Sequence, residues 1–459
     1  MSPTPSDPRV AIAEVSRNEY PQTLDDCKEI DDAVTRIATK LDWSDGRSGP
    51  FGRLIPPGAR VLLKPNFVLH KNQGPWGMDP MVTHQSLIKA TVDAALQSKA
   101  GEVLVGDAPI QTCDFPELLR ATQLDDWSQQ VEKTDSRFKG IKDFRRTVAE
   151  TVNGVRVAQE NVLPEEMFVL FDLGPESLLE PITTEAEDFR VTCYDPRLMA
   201  KTHAPGRHRY LVARDVMEAD VVINLPKLKT HKKAGITCAL KNTIGINGNK
   251  EYLPHHRIGG SNLGGDCYPG DSKLKRMLEY VADQQNTTDS PRTARFWSVV
   301  AENLNRALHV TGDSLGIEGS WDGNDTIWRT GLDLNRILLY GRADGTMAEE
   351  PQRRVVHLVD AIVAGQGDGP LSPRPLPMGL LFGGNNAGAV DWVGAQLLGY
   401  DPRQLSIVRE AFGKFSWPLV PFLPEDIEIV GDWSEDAEVK LRDRHAIYPE
   451  GWRRAAVAL

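Results

Sequence analysis

Short apolar segments that end in Gly, Asp or Asn alternate along this chain with longer amphipathic patterns. Such alternation is typical of β-strands joined by crossover helices in a parallel sheet. The pattern predicts strands at Ala59–Val68, 102–109, Ala219–Leu228 and Val355–Gly365. We therefore predict an α/β fold with a mainly parallel sheet, crossover helices and polar insertions that form a cap.

Two helices of this fold are marked by their ends. Residues 83–101 predict a helix with Thr83 as its N-cap and Gly101 beyond its last turn. Residues 379–400 predict a strand, a glycine-rich turn and a helix that begins near Asp391. Both units have the strand-to-helix order that a parallel sheet requires.

The polarity of the chain suggests its organisation. We predict an N-terminal strand and helix region at 1–58, an α/β domain at 59–430 and a C-terminal tail at 431–459. Two polar segments, 111–205 and 251–300, interrupt the repeating units and are expected to cover the sheet. Within the second, the composition of Asp283–Arg295 predicts a surface loop.

Composition narrows the class of protein. A chain of 459 residues with 40% hydrophobic and 25% charged residues can bury a large core. Its net charge of -11 argues against a nucleic-acid partner. The sequence contains no apolar run of about 18–20 residues and no basic leader followed by an apolar stretch. We therefore expect a cytoplasmic protein without a membrane partner.

The segment Val221–Gly260 has the opposite charge from the rest of the chain. It contains six lysines and three histidines, interleaved with Gly, Asn, Thr and apolar residues. A solvated face is the alternative interpretation of such a run. The interleaving favours a shaped binding site for an anion, because it lets basic side chains converge.

Candidate binding residues follow the predicted strands, where ligands bind in open α/β sheets. Lys227 and Lys229 have the same parity along a strand and should point into one space. Glycines in the segment 365–371 allow the backbone to approach a ligand closely, although a tight turn explains them equally well. The candidate substrate-binding residues are Lys64, Asn66, Lys227, Lys241, Asn242, Gly367 and Gly369.

Three residues are candidates for catalysis: His231, Lys229 and Asp360. His231 is the best general acid or base, because the ordinary pKa of histidine is about 6.5. A divalent metal is an open alternative, with Asp107, Asp391 and His255 as its ligands. The sequence lacks both the Walker lysine loop and the G-x-S-x-G serine motif, which disfavours an ordinary ATPase and a serine hydrolase.

The motifs KPNFV, GDAP, INLPKLKTHKKAGITCALKNTIG, VDAIVAGQGDGPL and AGAVDWVGAQLLGYDP together resemble domain-of-unknown-function family 362. The resemblance extends from Ala59 to Asp401 and implies that the matched candidate residues share one site. Many such proteins carry a ferredoxin-like domain with clustered cysteines. The five cysteines of this chain are widely spaced and contain no C-x-x-C pair. We therefore expect buried thiols and no iron–sulfur cluster.

These features predict an enzyme that acts on an anionic small molecule, phosphorylated or carboxylated, held by the lysine- and histidine-rich segment. Group transfer and proton abstraction next to a carboxylate both suit the residues. The alternative is a non-catalytic protein that binds an acidic metabolite or protein partner. Reaction type, metal and oligomeric state stay open at this point.

Overall fold

A computed structural model describes residues 5–16, 18–21, 23, 27–152, 155–310, 315–432 and 445–455. The strands in these ranges are β1 (Arg9–Glu14), β2 (Arg60–Pro65), β3 (Glu102–Asp107), β4 (Phe138–Asp143), β5 (Val148–Val152), β6 (Val155–Gln159), β7 (Phe168–Asp172), β8 (Phe189–Arg190), β9 (His203–Ala204), β10 (Arg207–Ala213), β11 (Val221–Leu225), β12 (Lys227–His231), β13 (Gly235–Thr237), β14 (His256–Arg257), β15 (Arg354–Asp368), β16 (Ser372–Gly384) and β17 (Glu428–Gly431). The helices are α1 (Lys28–Lys40), α2 (Gln85–Gln97), α3 (Phe115–Ala121), α4 (Leu124–Thr134), α5 (Pro196–Met199), α6 (Arg214–Met217), α7 (Ala239–Asn242), α8 (Lys273–Thr287), α9 (Pro291–Val310), α10 (Ile327–Tyr340), α11 (Ala387–Leu397) and α12 (Ser406–Arg409).

One large sheet organises the chain, in the order β17-β1-β16-β15-β11-β2-β3-β4, with β12 and β13 attached beside β15. The pairs β15–β11, β11–β2, β2–β3 and β3–β4 are parallel, as are β1–β17 and β12–β15. The pairs β1–β16, β15–β16 and β12–β13 are antiparallel. The predicted α/β fold with a mainly parallel sheet is confirmed.

Helices cover both faces of the sheet, which is why its central strands are apolar throughout. All five residues of β11 are buried. Val221 and Ile223 pack with α1 and α2 on one face, whereas Val222 packs with α10 on the other. This alternation with period two leaves the carboxyl ends of the strands as the place where polar side chains can gather.

The strand predicted at Ala219–Leu228 is two strands, β11 and β12, separated by Pro226. Proline has no N–H for the ladder, so the chain leaves β2 and pairs further along β15. Lys227 then lies opposite Asp360, and Lys229 lies opposite Gly365. The bend carries the basic segment beyond the edge where β2 and β3 end.

The predicted N-cap of α2 is wrong by one residue. His84 is the N-cap, and its Nδ1 accepts a hydrogen bond from the Ser86 amide at 3.2 Å. Thr83 instead joins two strand ends, because its hydroxyl donates to the Leu225 carbonyl at 2.5 Å and accepts from the Asn66 amide at 2.8 Å.

The two polar insertions differ from the predicted cap in part. The first begins with α3, α4 and β4, and β4 completes the edge of the main sheet. Other parts of the insertions contribute to the smaller sheets β7-β10-β9, β14-β8 and β5-β6 outside the main sheet. The surface loop predicted at Asp283–Arg295 is wrong: this segment includes the end of α8 and the start of α9, which form a helical hairpin. Leu278 and Val281 on α8 and Ala294 on α9 are among the buried apolar residues of this hairpin.

Both terminal regions contribute to the main body. Strand β1 lies inside the sheet between β16 and β17. The Trp452 indole donates a hydrogen bond to the Lys232 carbonyl at 2.6 Å, so the C-terminal region contacts the basic segment. Within the described ranges, none of the helices combines the length and the apolar character that a membrane span requires.

Candidate functional site

The lysines at the strand ends are buried, so a solvated face does not describe them. Lys64, Lys227 and Lys229 each expose 1% of their surface or less. A charged amine loses its hydration when it is buried, and each of these must be compensated by a nearby oxygen or lose its proton. The three lysines have three different sets of partners.

Lys64 at the end of β2 forms an ion pair with Asp107 at the end of β3, with 2.7 Å between Nζ and Oδ1. The other carboxylate oxygen accepts from the Phe67 amide at 2.7 Å. Asn242 adds a third contact, because its Oδ1 accepts from Lys64 at 3.3 Å and its Nδ2 donates to the Lys64 carbonyl at 3.2 Å. This cluster fixes α7 against the edge of the sheet.

Lys227 forms a second buried ion pair with Asp360, at 2.7 Å. Tyr20 completes the group: its hydroxyl accepts from Lys227 at 2.5 Å and donates to Asp360 at 2.5 Å. The His84 amide donates to the same carboxylate at 2.9 Å, and the His84 ring stacks on Tyr20 with 3.7 Å between ring centroids. Asp360, a candidate catalytic residue in the sequence, therefore neutralises Lys227.

Lys229 has only uncharged oxygens around its amine. It donates to Asn66 Oδ1 at 2.6 Å and to the Met81 carbonyl. Burial first, and then the charge of Lys227, lowers the pKa of Lys229 well below its ordinary value. Lys229 therefore joins β12 to the loop before α2 through hydrogen bonds to uncharged oxygens.

Beside these clusters lies an open cleft with a volume of about 490 Å³. Its floor comes from the end of β12 and from α7, and both insertions contribute to its walls. Basic side chains outnumber acidic ones in the lining: Arg145, Lys232, Lys233, Lys241 and Lys250 face Glu318 and Asp368. The cleft is therefore a positive chamber in an acidic protein.

Lys241 on α7 is distinct among the lysines of the cleft. Lys232 lies 3.8 Å from Asp368, and Lys233 lies 4.0 Å from Glu318 and donates to Thr192 at 2.7 Å. The Lys241 amine has no hydrogen-bond or ion-pair partner in the part of the chain that the structure describes. Burial, followed by the charges of neighbouring lysines, lowers the pKa of Lys241 to about 7.

The surroundings of His231 fix its tautomer. Its Nδ1 accepts hydrogen bonds from the amides of Lys233 at 3.0 Å and Ala234 at 3.2 Å, so the ring proton lies on Nε2. Burial, and then the charge of Lys241, lowers the pKa of His231 well below its ordinary value. His231 is thus a neutral N–H donor on the cleft wall, which differs from the expected general acid or base.

His255 lines the same cleft but is the opposite tautomer of His231. Its Nδ1 lies 2.6 Å from the Leu253 carbonyl and must donate to it, which leaves Nε2 as an acceptor. Burial, and then the charge of Lys250, lowers the pKa of His255 well below its ordinary value. The cleft therefore offers a ligand one imidazole donor and one imidazole acceptor.

This assignment predicts the nitrogen spectrum of the histidines. We expect His231 to be the Nε2-protonated tautomer throughout pH 6 to 8, because protonating Nδ1 would break two backbone hydrogen bonds. Two-bond ¹H–¹⁵N correlation spectra of uniformly labelled protein, assigned with His231→Gln, measure this directly. A His231 signal that titrates with a midpoint near pH 6.5 would contradict the assignment.

The predicted metal ligands do not come together. Asp107 is paired with Lys64, and His255 lines the cleft. Asp391 lies within α11, where both oxygens accept from the Leu240 amide at 3.3 Å. Burial raises the pKa of Asp391 to about 7, while a hydrogen bond from the Cys238 thiol lowers it. Across the described ranges no three His, Cys, Asp or Glu side chains are placed to share an ion.

The glycines predicted to approach a ligand belong to the β15–β16 hairpin. Gly367 has a φ of 77°, and Gly369 approaches β12 so closely that a Cβ would lie 2.0 Å from the Thr230 carbonyl oxygen. The Lys232 amide donates to Gly369 at 3.0 Å. Gly369 lines the cleft. The main effect of both glycines is to let the β15–β16 hairpin pack closely against β12.

Sequence reasoning missed Tyr20 and His84, which belong to the Lys227 cluster. Tyr20 precedes its carboxylate partner Asp360 by 340 residues, and no local pattern marks such a contact. The expectation of buried thiols holds for Cys27, Cys113, Cys238 and Cys267, but Cys193 is exposed on the cleft wall.

Comparison with known proteins places the chain in a family. The sequence profile described as "Domain of unknown function (DUF362)" matches residues 147–396, which is more than half of the chain. The chain belongs to this DUF362 family. The matched range includes β12, α7 and α11 but begins after β2 and β3. The resemblance in the sequence motifs is therefore confirmed for the part that carries the cleft floor.

Two further proteins show weaker similarity to this chain. A thylakoid-associated protein of Synechocystis is 22% identical over 357 residues, which cover 77% of this chain and 67% of that protein. A crystal structure of a protein from Thermotoga maritima matches with a TM-score of 0.35 and 11% identity. That match covers 81% of this chain and 58% of the Thermotoga chain. The DUF362 description names no activity, so function has to be argued from the cleft.

Proposed function

We propose that this DUF362 protein is an enzyme that binds a carboxylated or phosphorylated small molecule in the lysine-lined cleft and moves a proton with Lys241. The observation that carries the proposal is the Lys241 amine, which lies in the cleft, has no partner among the described residues, and has a pKa lowered to about 7. A partly buried amine with such a pKa and no carboxylate beside it is a candidate for a catalytic group.

The other lysines of the cleft support the binding of an anion. Lys232 and Lys233 lie at 3.8 and 4.0 Å from their carboxylate partners, which leaves their amines available to a stronger acceptor. A carboxylate or phosphate would bring the negative charge that this chamber lacks. The same charge would raise the pKa of Lys241, because it favours the protonated amine.

The two central groups suit proton abstraction from a carbon next to a carboxylate. Because its pKa is lowered to about 7, the unliganded Lys241 amine is partly neutral near neutral pH and can accept a proton. The C–H bond then breaks, the proton moves to Lys241 Nζ, and the electron pair spreads onto the carboxylate oxygen. His231 would stabilise that oxygen with its Nε2–H, since a neutral imidazole can act as a hydrogen-bond donor to developing charge.

Solvent exchange tests this reaction. The protein is incubated in D₂O with a panel of 2-hydroxy and phosphorylated carboxylates that carry a proton on the carbon next to the carboxylate, and proton NMR follows that signal. We expect one member to lose its signal with the wild-type protein. Lys241→Met should slow that exchange by at least about 100-fold, the usual contribution of a general base. Lys414→Met, at an exposed lysine away from the cleft, is the matched control.

The rival function is non-catalytic binding of an acidic metabolite. Calorimetry separates the two: a member that binds with a Lys241-dependent affinity and never exchanges would make the chain a binding protein. If no member binds, or if Lys241→Met binds and exchanges like the wild type, the proposal is wrong. We also propose a cytoplasmic location; the Synechocystis relative is described as thylakoid-associated.

A second cavity of about 800 Å³ lies next to the cleft and shares Val191, Thr192, Cys193 and Glu318 with its wall. Its lining includes α8 and α9. This space favours a substrate whose anionic end occupies the cleft and whose other end extends toward α8 and α9. The exchange panel should therefore include carboxylates with long substituents.

A further inference from the structure

The outer side of the α8–α9 hairpin is unusually apolar for an exposed surface. Met277 and Tyr280 on α8 expose 55% and 57% of their surface, and Phe296 and Val299 on α9 expose 59% and 52%. Ala294 and Leu308 are the buried residues of α9, although that helix is 20 residues long. A helix with so little contact to the core leaves its other apolar side chains for something outside the chain.

Ring contacts show that the apolar side chains of the two helices form one patch. Tyr280 lies edge-on to Trp297 with 6.2 Å between ring centroids, and Phe296 lies edge-on to the same indole at 5.1 Å. We name Met277, Tyr280, Phe296, Trp297 and Val299 the hairpin patch. Aromatic rings with an apolar body and a polar edge are enriched where an apolar phase meets water.

The exposed charges of the hairpin are basic in excess, against the net charge of -11: Lys273, Arg276, Arg292, Arg295 and Arg306 outnumber Asp271, Asp289 and Glu302. Lys273, Arg292 and Arg295 are exposed and have no ion-pair partner in the part of the chain that the structure describes. Arg276 is paired with Asp271 at 3.4 Å and Arg306 with Glu302 at 2.5 Å, so those cations are already compensated. The patch therefore combines apolar side chains with three uncompensated positive charges.

We propose that the hairpin patch attaches the protein to the surface of a membrane that contains anionic lipids. The apolar side chains would enter the boundary between headgroups and acyl chains, and Lys273, Arg292 and Arg295 would contact lipid phosphates. A second copy of the chain fits less well, because a twofold contact brings the same patch to both sides and sets cations against cations. The attachment is peripheral and independent of the reaction in the cleft. It departs from the expectation of no membrane partner, which was based on the lack of a spanning segment.

Sedimentation with vesicles tests this attachment. The full chain is mixed at low salt with vesicles of phosphatidylcholine alone, or with about one third phosphatidylglycerol. We expect binding to the anionic vesicles only. Arg292→Glu with Arg295→Glu should weaken it by at least about tenfold, since each cation near the surface contributes roughly fivefold. Phe296→Ser with Val299→Ser should weaken it by a similar factor, because apolar insertion is lost.

Matched controls keep the test specific. Lys414→Glu with Arg53→Glu changes the net charge equally at other exposed positions, and Leu423→Ser removes an apolar side chain that is 65% exposed elsewhere. These variants should bind like the wild type. The proposal fails if the protein ignores both vesicle types, or if controls and patch variants lose binding equally. It also fails if light scattering shows a dimer that Phe296→Ser dissociates, or if an acidic protein and not the vesicles binds the patch.

Discussion

Asp360→Ala is expected to lower the free energy of unfolding by about 3–5 kcal/mol, because it leaves Lys227 buried without its counter-ion. Both side chains are fully buried and lie 2.7 Å apart. Tyr20 loses its acceptor in the same variant, since its hydroxyl donates to Asp360 at 2.5 Å. Urea unfolding at pH 7, followed by tryptophan fluorescence and circular dichroism, measures the change.

An exposed pair provides the control for this effect. Lys89 and Asp93 also lie 2.7 Å apart, but they are on the outside of α2 with 23% and 38% of their side chains exposed. Asp93→Ala should change the free energy of unfolding by less than about 0.5 kcal/mol. The double variant Lys227→Met with Asp360→Leu should recover much of the lost stability, because it removes both buried charges. A loss below about 1 kcal/mol in Asp360→Ala would show that water reaches the pair.

The sheet could be predicted from the sequence because its central strands are buried on both faces. Continuous apolar runs such as those of β11 and β15 are visible in one dimension, and so are the turn residues that end them. The α8–α9 hairpin could not be predicted in the same way. The segment Asp283–Arg295 spans the turn between the two helices and is rich in Gln, Asn, Thr and Asp, so its composition looks like that of a loop.

The candidate site was predicted in composition but not in arrangement. The basic residues do lie near the carboxyl ends of the strands, but they differ in how deeply they are buried. Lys64, Lys227 and Lys229 lie in the interior, while Lys241 and His231 line the cleft. That division depends on Pro226 and on partners far along the chain, and neither the charge pattern nor the strand parity encodes those contacts. The tautomer of His231 likewise depends on how the backbone turns after β12.

Lys241→Met is expected to make the protein more stable and its cleft inactive. The pKa of Lys241 is lowered from 10.5 to about 7, so between these pH values the unfolded chain binds a proton that the native state lacks. The free energy of unfolding therefore rises with pH across this window. Below pH 7 the charged Lys241 amine destabilises the native state by its full amount. Removing the amine removes that cost, and we expect a gain of about 1–3 kcal/mol at pH 6 that disappears near pH 10.

The dependence on pH separates this effect from the added packing of a methionine, which would stabilise the native state equally at every pH. Lys232→Met is the matched control, because Lys232 is exposed on the same cleft and lies 3.8 Å from Asp368. Its unfolding free energy should run parallel to that of the wild type from pH 6 to pH 10. If Lys241→Met instead destabilises the protein at every pH, the Lys241 amine has a structural partner and cannot be the proton acceptor. Stabilisation at low pH combined with lost solvent exchange is what a residue kept for function at the expense of stability should show.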